Sequence, residues 1–402
     1  MPSVLDVAGL SPDTCAGLLG INPRVLKEWS AGQSALPPSV SARLAAILGV
    51  GEDELQPSRA GEEPEVPAVW FKFRGPRLSE TDRECVFLVR QLALYAIRLE
   101  AIRGESPTGW ETLFRAIREA VTSDLSPKEQ GRVAARVFRS NRGLDVGQTA
   151  LGDVLRGQLR NLGVVVVESP LATSSIEGFA FVSGRDPARR PCVYANSHSS
   201  TWFRRNVVLA HELCHLVFDA DSEGASVDLV ESHETSVSEI RAEAFALEAL
   251  VPKRVLLHLA AHAKVSWQAL DLDGLARLVA ATEVEHRAVL RAAKLAGVIT
   301  AEQADALVTE DVMPLVRRYS DHALTAAEFI KKNPEHVTSE WREKRNTTIP
   351  RLPLRLPVGY VRSVVEAERA LEVSPARAAA LLMIDERTYR QRFNVAEAWG
   401  DE

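Results

Sequence analysis

Residues 208–218, Val-Leu-Ala-His-Glu-Leu-Cys-His-Leu-Val-Phe, place a His-Glu-x-x-His motif inside an apolar stretch with helical spacing. Residues four apart project from one face of a helix, so His211 and His215 can both offer an imidazole nitrogen to one metal ion. Glu212 then lies where its carboxylate can take a proton from an attacking water. The alternative is a helix that carries two core or solvated histidines. The apolar flanks and a candidate third ligand favour the metal site.

The third ligand is expected on a second helix, within residues 239–252. Glu239 and Glu243 are four apart and share one face of that helix, and its alanines and phenylalanine can pack on the metal helix. From spacing alone, either carboxylate could reach the metal. Two histidines and one glutamate leave zinc with one open position, which is typical of a catalytic rather than a structural site.

These residues resemble the ImmA/IrrE metallopeptidases (DUF955 type), in which an HExxH helix is followed by a helix of pattern E-x-x-A-x-x-F-A and then by a proline. That pattern is present here as Glu239, Ala242, Phe245, Ala246 and Pro252. The resemblance covers about residues 131–252 and implies that Glu239 binds the zinc ion. Family members commonly have Asn at the position of Glu243, so Glu243 is expected to support a ligand, or to be an alternative one.

The resemblance implies a gluzincin-like mechanism, in which zinc polarises the scissile carbonyl and Glu212 is the general base. Such a site also needs a partner for the oxyanion, and the candidates are Tyr194, His198 and His233. Cys85, on a long helix predicted to begin at Ser79, is a candidate inhibitory fourth ligand, because a thiolate would displace the catalytic water.

The first fifty residues contain a second pattern. Residues 11–29 resemble the XRE (Cro/C1-type) helix-turn-helix, with Gly20 at the turn and Asn22 before the second helix. Arg24 and Lys27 lie on the side that would face a DNA groove and are candidate contacts. Docking to a partner protein is an equally good interpretation. The pattern of residues 374–393 predicts another helix pair. A helical hairpin that closes a core is favoured over a second helix-turn-helix.

A group of arginines lies close in sequence to the metal helix and beside Trp202 and Phe203. Such a group can pair with phosphates while aromatic rings stack on bases, which suits single-stranded nucleic acid. The alternative is a solvated arginine face. The candidates are Arg189, Arg190, Arg204 and Arg205. The family resemblance makes single-stranded DNA the expected activator.

Three short β-prone runs, 164–168, 178–182 and 192–195, interrupt an otherwise helical pattern. The predicted fold is mainly α with a small antiparallel β-sheet, an α+β fold, and a substrate segment is expected to add along the sheet edge around 193–196. The predicted domains are a helix-turn-helix (1–58), a gluzincin-like zinc peptidase (68–265, with its core at 131–252 and a helical lead-in at 79–125) and a helical C-terminal region (266–402).

Composition limits the function classes. The 402 residues are 46% hydrophobic and 25% charged, as in ordinary globular proteins, and the net charge of −6 argues against a surface coated with nucleic acid. No apolar run approaches the roughly 20 residues that cross a bilayer. The four cysteines form no CxxC pair, which favours a reducing compartment. We therefore expect a cytoplasmic protein that does not contact a membrane.

Together these features predict a zinc (Zn2+) endopeptidase joined to an XRE-like helix-turn-helix. The resemblance implies limited cleavage of a helix-turn-helix repressor, which would switch on a stress, mobile-element or anti-phage operon, as CapP-type regulators of CBASS operons do. Binding of duplex operator DNA is left open. The rival interpretation is a non-enzymatic, metal-containing XRE-type transcription factor. The presence of Glu212 argues against it, because a purely structural metal site needs no general base.

Overall fold

The described residues of the computed structural model are mostly helical and include one small sheet, which confirms the predicted α+β class. The part of the chain that the structure describes comprises residues 5, 11–48, 55, 79–104, 109–145, 150–169, 176–183, 190–197, 201–219, 226–229, 236–320, 358–382, 384 and 386–393. Within these ranges, none of the helices combines the length and hydropathy that a bilayer span requires.

The elements are α1 (Pro12–Leu19), α2 (Pro23–Ser30), α3 (Pro38–Leu48), α4 (Glu80–Ile102), α5 (Trp110–Ala120), α6 (Pro127–Asn141), α7 (Leu151–Asn161), β1 (Val165–Ser169), β2 (Ile176–Ser183), β3 (Arg190–Asn196), α8 (Trp202–Phe218), β4 (Ser226–Leu229), α9 (Val237–Leu250), α10 (Lys253–His262), α11 (Leu272–Thr282), α12 (His286–Leu295), α13 (Ala301–Val308), α14 (Met313–Val316), α15 (Val358–Arg369), α16 (Pro375–Leu381) and α17 (Glu386–Phe393).

The sheet has the strand order β1-β3-β2-β4. The three predicted strands are present, and β4 is an addition that the sequence pattern did not predict. The expectation of a purely antiparallel sheet was wrong, because β1 pairs with β3 in parallel while β2 is antiparallel to both β3 and β4. Strand β2 therefore lies two positions from β1 in the sheet. Strand β3 fills the position between them, antiparallel to β2 and parallel to β1.

Both faces of the sheet are covered by helices. Side chains alternate between the faces along a strand, so Phe179 and Tyr194 lie in one buried cluster, with α4, while Ala180 and Val193 lie in another, with α8. Every residue of β3 is buried. The expected substrate edge around 193–196 was therefore wrong, because β3 is an interior strand.

The cluster on the α4 face also contains both terminal groups of helices. Ser79 caps α4 through a capping box with Asp82, which confirms the predicted helix start. Arg43 of α3 donates to the Tyr95 hydroxyl of α4 at 3.4 Å. Buried side chains of α15, α16 and α17 belong to the same cluster. Helix α4 therefore joins the two ends of the described chain to the sheet.

The buried clusters divide the predicted C-terminal region of residues 266–402. Helices α11 to α14 share the cluster of α8 and α9, whereas α15 to α17 share the cluster of α4. At the other end of the chain, α1 and α2 are joined by a tight turn in which Gly20 has a φ of 67°, as expected for a helix-turn-helix. Assignment of this pair to the XRE class stays a prediction.

Candidate metal centre

Helix α8 carries the His-Glu-x-x-His motif across one face of the sheet. Thr201 caps its first turn, and its apolar residues enter the core between the sheet and α9. His211 and His215 project together from this helix, with their Nε2 atoms 3.0 Å apart. Local helix geometry alone thus brings two metal-ligating nitrogens to one point.

Glu239 reaches the same point from the first turn of α9. Its Oε2 lies 3.1 Å from His211 Nε2, and its Oε1 lies 3.4 Å from His215 Nε2. One ligand atom from each of the three side chains lies within 4.8 Å of the others. Burial would raise the pKa of the Glu239 carboxyl, but hydrogen bonds to both histidines and their charge lower it well below its usual value. An ionised carboxylate and two imidazoles form a donor set that fits zinc.

Close packing between α6 and α9 places Glu239. Gly131 of α6 faces the α9 backbone so closely that an added Cβ would meet Arg241 O and would lie 2.8 Å from Phe245 N. Farther along, Arg139 of α6 donates to Ala249 O at 2.7 Å. The absence of a side chain at Gly131 therefore lets α9 approach at the height at which Glu239 meets the histidines.

Glu212 is fully buried and lies between α8 and strand β2. A Cβ built on Gly178 would lie 2.9 Å from Glu212 Oε1. The candidate general base therefore lies against the sheet, and it follows the proposed ligand His211 directly in the sequence of α8. This arrangement supplies a metal-binding group and a carboxylate within one short element.

The comparison with protein families agrees with this geometry. Residues 159–292 match the IrrE N-terminal-like domain family, Peptidase_M78. The matched segment, called here the IrrE-like region, contains α8, α9 and all four sheet strands. The match supports a peptidase of the metal-dependent kind. No curated protein and no solved structure is matched by this chain.

The IrrE-like region also contains two residues that the sequence analysis missed. Asp219, one turn after His215, places its Oδ2 2.9 Å from His215 Nδ1, and its Oδ1 accepts from Arg241 Nη2 at 2.7 Å. Burial would raise the pKa of Asp219, but the hydrogen bond from His215 and the charge of Arg241 lower it. The spacing of Asp219 from His215 was a usable signal, whereas the contribution of Arg241 depends on the packing of α9 on α8.

Glu243, the alternative ligand, does not reach the histidines. It forms an ion pair with Arg291 of α12 instead. The structure therefore separates the two carboxylates that spacing alone could not distinguish, since Glu239 turns toward α8 and Glu243 toward α12.

Two expectations about the site were wrong because of the sheet. Tyr194 is fully buried on the face that α4 covers, whereas α8 covers the other face. Burial, together with a hydrogen bond to Cys85, raises the pKa of the Tyr194 phenol well above its usual value. Neither Tyr194 as an oxyanion partner nor Cys85 as a metal ligand can reach the metal centre through the sheet. The other oxyanion candidates, His198 and His233, lie outside the described residues.

The predicted nucleic-acid contacts next to the metal helix are instead internal ion pairs. Arg204 pairs with Glu177 and Glu285, at 2.6 and 2.7 Å. Arg205 pairs with Glu168 at 2.9 Å and is only 7% exposed. The prediction that Arg205 binds nucleic acid was therefore wrong, because its guanidinium is buried against Glu168. The Arg204 side chain is 36% exposed, and its guanidinium is held by two glutamates of the same chain.

The remaining basic candidates differ in exposure. Arg190 is buried, donates to Gly163 O at 2.8 Å and pairs with Glu100, so it too has a structural role. Arg189 lies outside the described residues. On α1 and α2, Arg24 pairs with Glu28 and Lys27 pairs with Asp13, with the basic side chains 82% and 55% exposed. These two positions alone among the described candidates face solvent extensively.

Proposed function

We propose that this chain is a zinc-dependent endopeptidase. The observation that carries the proposal is the convergence of His211, His215 and Glu239, with buried Glu212 beside them on the same helix. Two imidazoles and one carboxylate leave one position of a four-coordinate zinc ion for water or substrate. A metal site of purely structural function would be closed by a fourth protein ligand and would not need Glu212, which counts against the rival transcription factor.

The chain's own residues have distinct tasks in this proposal. When bound, zinc would supply Lewis acidity that polarises the scissile carbonyl and acidifies water. Glu212 takes the proton of the attacking water and gives it to the leaving amine. Its burial between α8 and β2 keeps the carboxylate in a medium of low dielectric constant, where its interactions with a developing charge are stronger than in water.

We also propose the substrate class: a helix-turn-helix repressor that is cut once or a few times, so that a stress, mobile-element or anti-phage operon is switched on. The similarity of the IrrE-like region to its family supports this. Helices α1 to α3 provide a helical unit outside that region, suited to docking the substrate. Because β3 is interior, the cleaved segment does not add to the sheet there.

Single-stranded DNA remains our proposed activator, on the basis of the family resemblance. Arg204 and Arg205 do not carry this role, since their partners are glutamates of the same chain. Arg24 and Lys27 are the exposed candidates that the structure describes. Activation through them would weaken steeply as salt is raised.

The test compares Glu212→Gln with the parent chain on a helix-turn-helix repressor encoded beside the gene. The variant should retain stoichiometric zinc and lose cleavage, because it alters proton transfer and not metal ligation. Glu248→Gln on α9, which removes an exposed pair with Arg136, is the matched control and should cleave normally. Parental cleavage rates in Glu212→Gln would refute the proposal, and digestion of casein to small peptides would contradict the limited specificity.

A further inference from the structure

Asp219 and Arg241 form a largely buried chain of contacts that ends on a proposed metal ligand. Asp219 is 7% exposed in its side chain and Arg241 is 14% exposed. One carboxylate oxygen meets His215 Nδ1 at 2.9 Å, and the other accepts from Arg241 Nη2 at 2.7 Å. The two oxygens of a single carboxylate thus connect α8 to α9.

Arg241 also contacts residues other than Asp219. Its guanidinium lies over the Phe218 ring, 4.5 Å from the centroid, and its Nη1 is 3.5 Å from Gln130 Oε1 of α6. Arg241 follows Glu239 by two residues on the same helix. The side chain therefore fixes the first turn of α9, which carries Glu239, against the end of α8, which carries His215.

The chemistry of imidazole determines which atom donates in the contact between His215 and Asp219. His215 faces the candidate metal through Nε2, so Nδ1 must carry the proton. A carboxylate that accepts from Nδ1 selects that tautomer, fixes the ring plane and makes Nε2 a better donor to a metal. An anionic carboxylate in this buried place itself needs a cation, because an unpaired buried charge is strongly destabilising.

We propose that Asp219 and Arg241 are positioning residues of the metal centre: Asp219 orients His215, and Arg241 acts through Asp219 to hold Glu239 in register with the two histidines. This inference rests on the proposed zinc site. It assigns the assembly of the site to the docking of α9 on α8, not to the His-Glu-x-x-His helix alone.

The test measures zinc affinity of the full-length chain by competition with a chelator of known affinity. Asp219→Asn keeps the size and an acceptor oxygen but removes the charge, and Arg241→Gln removes the cation. Each should weaken zinc binding by about 10- to 100-fold. The double variant should bind zinc about as tightly as the weaker-binding of the two single variants, because Arg241 acts through Asp219. Arg241→Lys, which keeps the charge and loses the fork, should recover part of the affinity.

The matched controls are Asp273→Asn and Arg277→Gln, a half-buried ion pair of 2.6 Å within α11, and both should bind zinc like the parent chain. Urea titrations of the metal-free proteins separate folding from ligation. Unchanged affinity in both single variants would overturn the inference, as would losses that multiply fully in the double variant, or a fall in apo stability alone. A parent chain that binds no zinc would overturn the proposed function as well, whereas a parent that binds zinc tightly without cleaving would overturn only that function.

Discussion

Gly178→Ala tests whether the position of Glu212 controls catalysis. Gly178 lies in β2, beside an irregularity in the pairing with β4. An alanine Cβ there would lie 2.9 Å from Glu212 Oε1, 2.5 Å from Val208 Cγ1 and 3.0 Å from Tyr194 O. Ordinary van der Waals contacts of a Cβ lie at 3.4–4 Å, so the Glu212 carboxylate must move by roughly 0.5–1.1 Å to restore one.

The size of the effect follows from that displacement. A shift of about 1 Å in a reacting group can lower the rate by about 10²-fold. Overpacking at such a site lowers the free energy of unfolding by about 1–3 kcal/mol. Zinc content should not change, because the three atoms nearest the added Cβ belong to Val208, Glu212 and Tyr194 and not to a proposed metal ligand.

The assay follows the appearance of repressor fragments by mass spectrometry, with zinc measured by elemental analysis and stability by urea titration. Gly157→Ala is the control, because a Cβ at this position of α7 meets nothing within 4 Å. It should cleave at the parental rate and gain about 0.5–1 kcal/mol of stability, as Gly-to-Ala changes inside helices do. A folded Gly178→Ala protein that cleaves as fast as the parent would refute the assignment of Glu212.

Gly131→Ala would press a methyl group against the α9 backbone, so it should lower the free energy of unfolding by about 1–3 kcal/mol and weaken zinc binding; undiminished affinity in chelator competition would contradict this. Burial opposes the low pKa of Glu168, but Arg156 and Arg205 outweigh it and hold the pKa at about 2. Because this pKa is below the unfolded value, the contribution of Glu168 to the free energy of unfolding is complete above about pH 5 and is lost as the pH falls toward 2. In urea titrations, Arg156→Met should therefore reduce the loss of stability between these pH values. Cys85→Ser should leave zinc affinity unchanged, and X-ray absorption of the zinc-loaded parent chain should show no sulfur neighbour; a sulfur neighbour that is lost in Cys85→Ser would return Cys85 to the site.

The metal centre shows which site residues could be predicted from the sequence and which could not. His211 and His215 come together through the geometry of one helix, so their spacing was sufficient. Glu239 needed a second helix at the right height, and a family pattern, not spacing, distinguished it from Glu243. Asp219 and Arg241 were missed because their roles arise only when α9 packs on α8.

The errors have a common physical cause. Arg204 and Arg205 look like a basic surface in sequence, but the glutamates that pair with them come from β1, β2 and the start of α12. Tyr194 was assigned to the site because nothing in a short strand reveals which of its faces meets α8, and Cys85 because the sequence does not show that α4 covers the opposite face of the sheet. Partners distant in sequence decided both cases.

The covering of the sheet by α4 limits how the chain can be shortened. A fragment that begins after residue 104 would keep the whole IrrE-like region but would uncover Phe179, Phe181 and Tyr194, which α4 and its cluster bury completely or nearly so. Contiguous apolar surface of this kind drives aggregation. The segment that resembles a family is thus smaller than the unit whose sheet is covered on both faces.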